Sequence, residues 1–133
     1  MEALCFKLFL LDCGLLGAMS ETPPEKLLVA ENGMKESKGA FTENYVMSQL
    51  AATHDTSVFY YSNDAKLEID FLIQHGNKII PIEAKAEENL RAKSLSTFVT
   101  SHPEIHGLRF SMSDYREQDW MTNVPLYAIT SYF

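Results

Sequence analysis

Residues 67–85 constrain this chain more than any other stretch. Leu67-Glu68-Ile69-Asp70-Phe71-Leu72-Ile73-Gln74 and Lys78-Ile79-Ile80-Pro81-Ile82-Glu83-Ala84-Lys85 are two β-rich runs joined through His75-Gly76-Asn77. A Gly-Asn centre predicts a tight hairpin, because glycine accepts positive φ at no steric cost. A turn at Gly76 and Asn77 sets Ile69 opposite Ala84, Phe71 opposite Ile82 and Ile73 opposite Ile80, a wholly apolar face. The other face sets Leu72 opposite Pro81, Asp70 opposite Glu83 and Glu68 opposite Lys85. A slip of one residue would mix the two sets, so the pattern itself selects the register.

Directly opposed side chains have Cβ atoms roughly 4.5–5.5 Å apart, and like charges placed there repel. Something must offset the Asp70–Glu83 repulsion: a shared proton, the neighbouring Lys85, or a divalent cation. Mg²⁺ commonly takes one or two carboxylates with waters and phosphate oxygens, and Mn²⁺ is its usual substitute. On the hairpin alone two readings stay open, a metal-holding face and a solvated face screened by water and lysine.

The remaining elements follow from periodicity and punctuation. Residues 6–11 suit a buried strand, and Asp12 is placed to cap a short helix from Cys13 to Met19. Thr22-Pro23-Pro24-Glu25 is a helix start. Gly33 breaks the region, and Met34 to Lys38 reads as a linker or loop. Phe41, Tyr45, Val46, Gln49 and Leu50 recur at helical spacing up to about Thr53. Val58 to Tyr61 predicts a strand before a Ser62-Asn63-Asp64 turn. Arg91 to Ser101 predicts a helix stopped by Pro103, and Gly107–Met112 and Pro125–Thr130 predict closing strands.

With 133 residues, 46% hydrophobic and 22% charged, the chain has material for one ordinary core and not for two. The organisation expected is a lead-in segment, residues 1–36, and an α/β domain, residues 37–133. A net charge of −7 argues against an extended nucleic-acid surface unless the charge is unevenly placed. Cys5 and Cys13 lack any zinc spacing and read as reduced thiols. The apolar opening stretch is broken by Lys7 and Asp12, so it predicts core, not a membrane span or leader, and a cytoplasmic protein.

A longer string of segments carries a resemblance. Gly39-Ala40-Phe41-Thr42-Glu43-Asn44-Tyr45-Val46, Glu68-Ile69-Asp70-Phe71, Ile80-Pro81-Ile82-Glu83-Ala84-Lys85, Lys93-Ser94-Leu95 and Val124-Pro125-Leu126-Tyr127-Ala128-Ile129 occur in that order. Together they resemble the DUF4143-type domain found at the C-terminus of a family of prokaryotic AAA+ ATPases. Lys7 to Leu16 resembles the segment leading into it. Asp70 followed by Glu83-Ala84-Lys85 also matches the D-x(n)-E-x-K core of the PD-(D/E)XK nuclease superfamily.

The resemblance implies a restriction-endonuclease-like α/β core, a mixed central sheet flanked by helices. It implies that Glu43, Asp70, Glu83 and Lys85 are the catalytic set. Asp70, Glu83 and the Ala84 carbonyl would hold Mg²⁺, Glu43 would be the helix-borne acid, and Lys85 the catalytic lysine. Nucleic acid is the implied substrate and an ATPase domain in cis the implied partner. No G-x-x-x-x-G-K-[ST] phosphate loop occurs, so ATP hydrolysis is not expected of this chain. The competing expectation is a non-catalytic domain for partner recognition or oligomerisation.

Other features read as structural. Arg91, Lys93 and Arg109 are the nearest phosphate-contact candidates, and solvated faces are the preferred reading. His102-Pro103-Glu104-Ile105-His106 has a zinc-like spacing, but Pro103 argues for a loop. His54 and His75 read as surface residues. Tyr60, Tyr61, Tyr115, Trp120 and Tyr127 read as full or partial core, and Asp114 to Asp119 as a solvated loop.

Overall fold

The structure, a computed structural model, describes residues 6–28, 35–53, 57–64, 66–86 and 92–133. The expectations for Cys5, Gly33, Met34, His54 and Arg91 fall outside these residues. Helices are α1 (Cys13–Met19), α2 (Pro24–Leu28), α3 (Lys35–Thr53), α4 (Lys93–Ser101) and α5 (Ile129–Tyr132). Strands are β1 (Phe59–Ser62), β2 (Glu68–His75), β3 (Lys78–Lys85), β4 (Gly107–Ser111), β5 (Arg116–Glu117) and β6 (Met121–Pro125).

The strands form one mixed sheet in the order β1-β2-β3-β4-β6-β5. The hairpin is antiparallel, whereas β3–β4 and β4–β6 pair in parallel. Parallel neighbours require a crossover, and α4 supplies the one between β3 and β4. The central strands β4 and β6 are buried along their whole length, as strands covered on both faces must be.

Two apolar layers cover the sheet. On one face Val46 and Leu50 of α3 and Ile129 of α5 pack on Phe71, Ile73, Ile82, Ala84, Leu108, Phe110 and Val124. On the other, Leu95, Phe98 and Val99 of α4 pack with Ile69, Ala92 and Met121. Each fully buried large side chain contributes roughly 1.5–3 kcal/mol.

The turn chemistry predicted for the hairpin is present. Gly76 has φ 59°, and the ladder runs from His75–Lys78 through Gln74–Ile79, Ile73–Ile80 and Leu72–Pro81 to Phe71–Ile82. Beyond that point the expected pattern changes. On β1, Phe59 pairs with Leu72 and Tyr61 with Ile69, so Tyr60 alone faces both Asp70 and Phe71. This is a β-bulge on β2, which shifts the side-chain alternation by one. Ile69 therefore joins the α4-side layer while Phe71 and Ile73 join the α3-side layer. The expected single apolar face from Ile69 to Ile73 is corrected accordingly.

Other expectations change for identifiable reasons. Residues 6–11 are not a strand: Phe6, Leu8 and Leu11 are exposed, and only the Phe9 side packs on the core. Lys35 to Lys38 are helical, extending α3 upstream of the expected start. Pro125–Thr130 is not a strand: β6 ends at Pro125, and a 3-10 turn, Leu126–Ala128, leads into α5. Arg116–Glu117 pairs with β6 inside the expected loop. Asp12 caps α1 as expected, accepting the Leu15 N–H at 2.8 Å. Cys13 is a free thiol.

Candidate functional site

The bulge and the end of the hairpin ladder coincide, and the site is built there. Where backbone pairing between β2 and β3 ceases, Asp70 Oδ2 accepts the Ala84 N–H at 2.9 Å. A carboxylate thus replaces a backbone carbonyl in the ladder, and the expected Asp70–Glu83 pairing does not form.

Along β3, Ile82 and Ala84 both enter the α3-side layer, so Glu83 and Lys85 between and beyond them turn to the α4 side. Asp70 instead lies with Phe71, Phe9 and Met47 around a cavity on the α3 side. The three groups do not share one face, contrary to expectation. The split between the strands keeps them in electrical contact, since Lys85 acts on Asp70 and Asp70 acts on Glu83.

Glu83 is almost wholly buried. Its Oε1 meets Lys85 Nζ at 3.0 Å, while Oε2 is buried with no hydrogen-bond partner among the described residues. An unpaired buried carboxylate oxygen is costly, which burial expresses by pushing the Glu83 carboxyl above the usual range. Lys85 opposes that rise and Asp70 adds to it. Burial also raises Asp70, against the Ala84 N–H, Lys7 and Lys85.

Glu43 on α3 completes the α3-side acids. Burial raises its carboxyl first, and the Asp70 charge raises it further. Among Glu43, Glu68 and Asp70 stands Lys7, 3.4 Å from Glu43 Oε2, 2.9 Å from Glu68 Oε1 and 3.7 Å from Asp70 Oδ1. Burial alone would lower its ammonium, but these carboxylates outweigh it and the net direction is upward. Lys7 belongs to the segment that the sequence assigned to the lead-in. Buried Asn44 fixes that segment by accepting the Leu10 N–H at 2.7 Å, and Phe9 lies 5.6 Å from the Phe71 ring.

Arg109 is 1% exposed, which corrects its reading as a solvated cation. It stands beside Glu83 in the β3–β4 register and donates from Nε to Asn123 Oδ1 at 2.8 Å. Ser111 donates to the same oxygen, while Asn123 Nδ2 reaches the carbonyls of Ser113 and Asp114. Arg109 thus supplies positive charge behind Glu83 and is not placed to grip a solvent-side phosphate. Lys93 is exposed.

Lys7, Glu68, Asn44 and Asn123 were not singled out by the sequence. Only the local signal of Lys7, a charge interrupting an apolar run, was available to mark any of them. Tyr115 and Tyr127 are exposed, correcting their assignment to the core. His102 stacks on Phe98 and His106 meets Thr122 at 2.9 Å, both outside any helix.

Among the described residues no set of three or more His, Cys, Asp or Glu is arranged to hold a metal ion. The ligand set that the resemblance implies is divided, Asp70 on the α3 side and Glu83 on the α4 side, so an ion held by both carboxylates would have to sit at the split between the strands, completed by waters. The unpartnered Glu83 Oε2 is the observation that fits such an ion. Among the described residues no helix is long and apolar enough to cross a membrane.

The family described as "Domain of unknown function (DUF4143)" matches residues 38–129. No curated protein and no solved structure matches the chain.

Proposed function

The chain belongs to the DUF4143 family, and from that premise we propose a metal-dependent, phosphodiester-handling domain with a restriction-endonuclease-like, PD-(D/E)XK core. The observation that carries the reading is Glu83: a buried carboxylate with one oxygen on Lys85 and the other without a partner among the described residues. Buried charge is retained where a cation offsets it. Asp70, across the strand split, offers the second carboxylate.

Bound Mg²⁺ or Mn²⁺ would polarise a phosphate and lower the pKa of an attacking water. The chain's own residues do the rest. The Ala84 N–H fixes the Asp70 rotamer through Oδ2. Arg109 braces Glu83 from β4. Lys85, over a third exposed, can transfer its ammonium from Glu83 to a phosphate oxygen and steady the charge that develops there. Coupling to an ATPase domain in cis is part of the same proposal, resting on the resemblance of the sequence segments.

Calorimetric titration with Mn²⁺ tests the reading. Binding by the wild type, lost in Asp70→Ala and Glu83→Ala, supports it, and absence of binding at millimolar metal both in the wild type and in Lys7→Gln overturns it. Plasmid nicking by the wild type and not by Lys85→Ala then tests cleavage.

A second reading, a non-catalytic partner-recognition or oligomerisation domain, draws on a different observation. Phe6, Leu8, Leu11 and Met19 in the first 20 residues are each more than 60% exposed. Loss of these side chains would then alter assembly and leave metal binding intact.

A further inference from the structure

Lys7 stands where the acids of the site would otherwise face solvent or an ion. Its ammonium lies within 4 Å of Glu43, Glu68 and Asp70, three carboxylates on two different elements. Both Asp70 oxygens already face a donor: Oδ2 takes the Ala84 N–H at 2.9 Å and Oδ1 faces the Lys7 ammonium at 3.7 Å. An ion approaching Asp70 on its Oδ1 side therefore meets an ammonium already in place.

Among the described residues, the segment carrying Lys7 buries little apolar surface besides Phe9. Cavities of about 310 Å³ and 340 Å³ flank it, the first against Tyr60, Met47 and Phe71, the second against Ala40 and Leu16. Phe6, Leu8 and Leu11 point outward. Besides the Lys7 ion pairs and its ammonium 5.8 Å from the Tyr60 ring centre, its anchors include the Leu10–Asn44 hydrogen bond, the Phe9–Phe71 contact and the weak Cys13 Sγ contact to the Phe41 carbonyl at 3.6 Å. A segment with little buried apolar surface opens at low free-energy cost.

We infer that residues 6–11 form a releasable strap, whose Lys7 ammonium is a tethered counter-cation that competes with a divalent ion for Asp70. The inference rests on the metal reading of the site. The strap neutralises the Glu43–Glu68–Asp70 acids in the metal-free protein. Metal and strap are then linked reciprocally: whatever lifts one strengthens the other.

The experiment is Mn²⁺ titration by calorimetry of the full chain, comparing wild type, Lys7→Gln and Lys7→Met. Lys78→Gln, an exposed lysine at the far end of the hairpin, controls for the change in net charge. Circular dichroism verifies that each variant folds, and two Lys7 variants guard against loss of one. Affinity about tenfold higher in the Lys7 variants, with Lys78→Gln like wild type, is the expected result. Binding by the Lys7 variants alone also supports the strap. Equal or weaker binding by both Lys7 variants overturns the strap and leaves the metal reading standing. No binding by any form overturns the metal reading, and the strap with it.

Discussion

Asp70 Oδ2 accepts the backbone N–H of Ala84 at 2.9 Å, across the point where pairing between β2 and β3 stops. One carboxylate thereby closes the ladder, faces Lys7, and sits beside the strand that carries Glu83 and Lys85. Its structural and chemical duties are separable by substitution.

Asp70→Asn keeps an oxygen that can accept the Ala84 N–H and removes a charge that burial disfavours. Its stability in metal-free buffer should stay within about 1 kcal/mol of wild type. Asp70→Ala leaves the Ala84 N–H without its acceptor and should lose about 1–3 kcal/mol. Urea denaturation of both variants checks this, and equal stabilities would contradict the ladder role.

The acids also set a pH dependence. Glu43, Asp70 and Glu83 have folded-state values raised above the ordinary carboxylate range, burial being the first cause in each. The unfolded chain then releases these protons at lower pH than the folded one. Their contribution is full below about pH 4 and is lost as pH rises through the raised folded values. Lys7, raised as well, contributes below the ordinary lysine range and loses that contribution as pH passes its folded value. In EDTA, the Tm difference between Glu83→Gln and wild type should grow in favour of the variant from about pH 4 to neutrality. A difference that shrinks over that interval would contradict the assigned direction.

Arg109 is buried behind Glu83 and bonded to Asn123. Arg109→Ala should cost about 1–3 kcal/mol, because it removes one of the two donors to Asn123 Oδ1 and the positive charge beside buried Glu83, which keeps Lys85. Arg109→Lys should restore only part of this, since an ammonium cannot reproduce the guanidinium fork. Thermal and urea unfolding of the two variants provides the comparison; near-wild-type stability of Arg109→Ala would show the side chain to be dispensable.

Gly76 sets the hairpin register with φ 59°, and a methyl group added at its Cα would meet no heavy atom within 4 Å. Gly76→Ala should therefore cost roughly 1–2 kcal/mol from backbone strain alone. A much larger loss in urea denaturation would point to packing at the turn.

Much of the hairpin was legible because its information is local. Gly76 and the alternation from Phe71 to Gln74 against Ile79 to Ile82 are sufficient to choose a register. The bulge was not legible. Nothing in Asp70-Phe71 announces an extra residue, since its cause is the pairing of Tyr61 with Ile69 on a separate strand. The sequence groups Asp70, Glu83 and Lys85 by chemical type alone, and their distribution about the strand split was not legible in it.

Arg109 and Lys7 illustrate the same limit from opposite directions. A lone arginine in a strand reads as solvated until β6 brings Asn123 alongside it. A lone lysine in an apolar opening segment reads as an interruption until α3 and β2 present Glu43, Glu68 and Asp70 to it.

The order of residues by itself determined the turn at Gly76, the capped start of α1, the helical period of α3 and the chemical types available to a site. Those follow from φ preference, hydrogen-bond capping and side-chain periodicity, which act over a few residues. Tertiary structure alone decided that Ile69 changes layer, that Glu83 keeps an oxygen without a partner, and that Lys7 is delivered to the acids. Burial and charge pairing depend on what arrives from elsewhere in the chain, and no short stretch of sequence contains that.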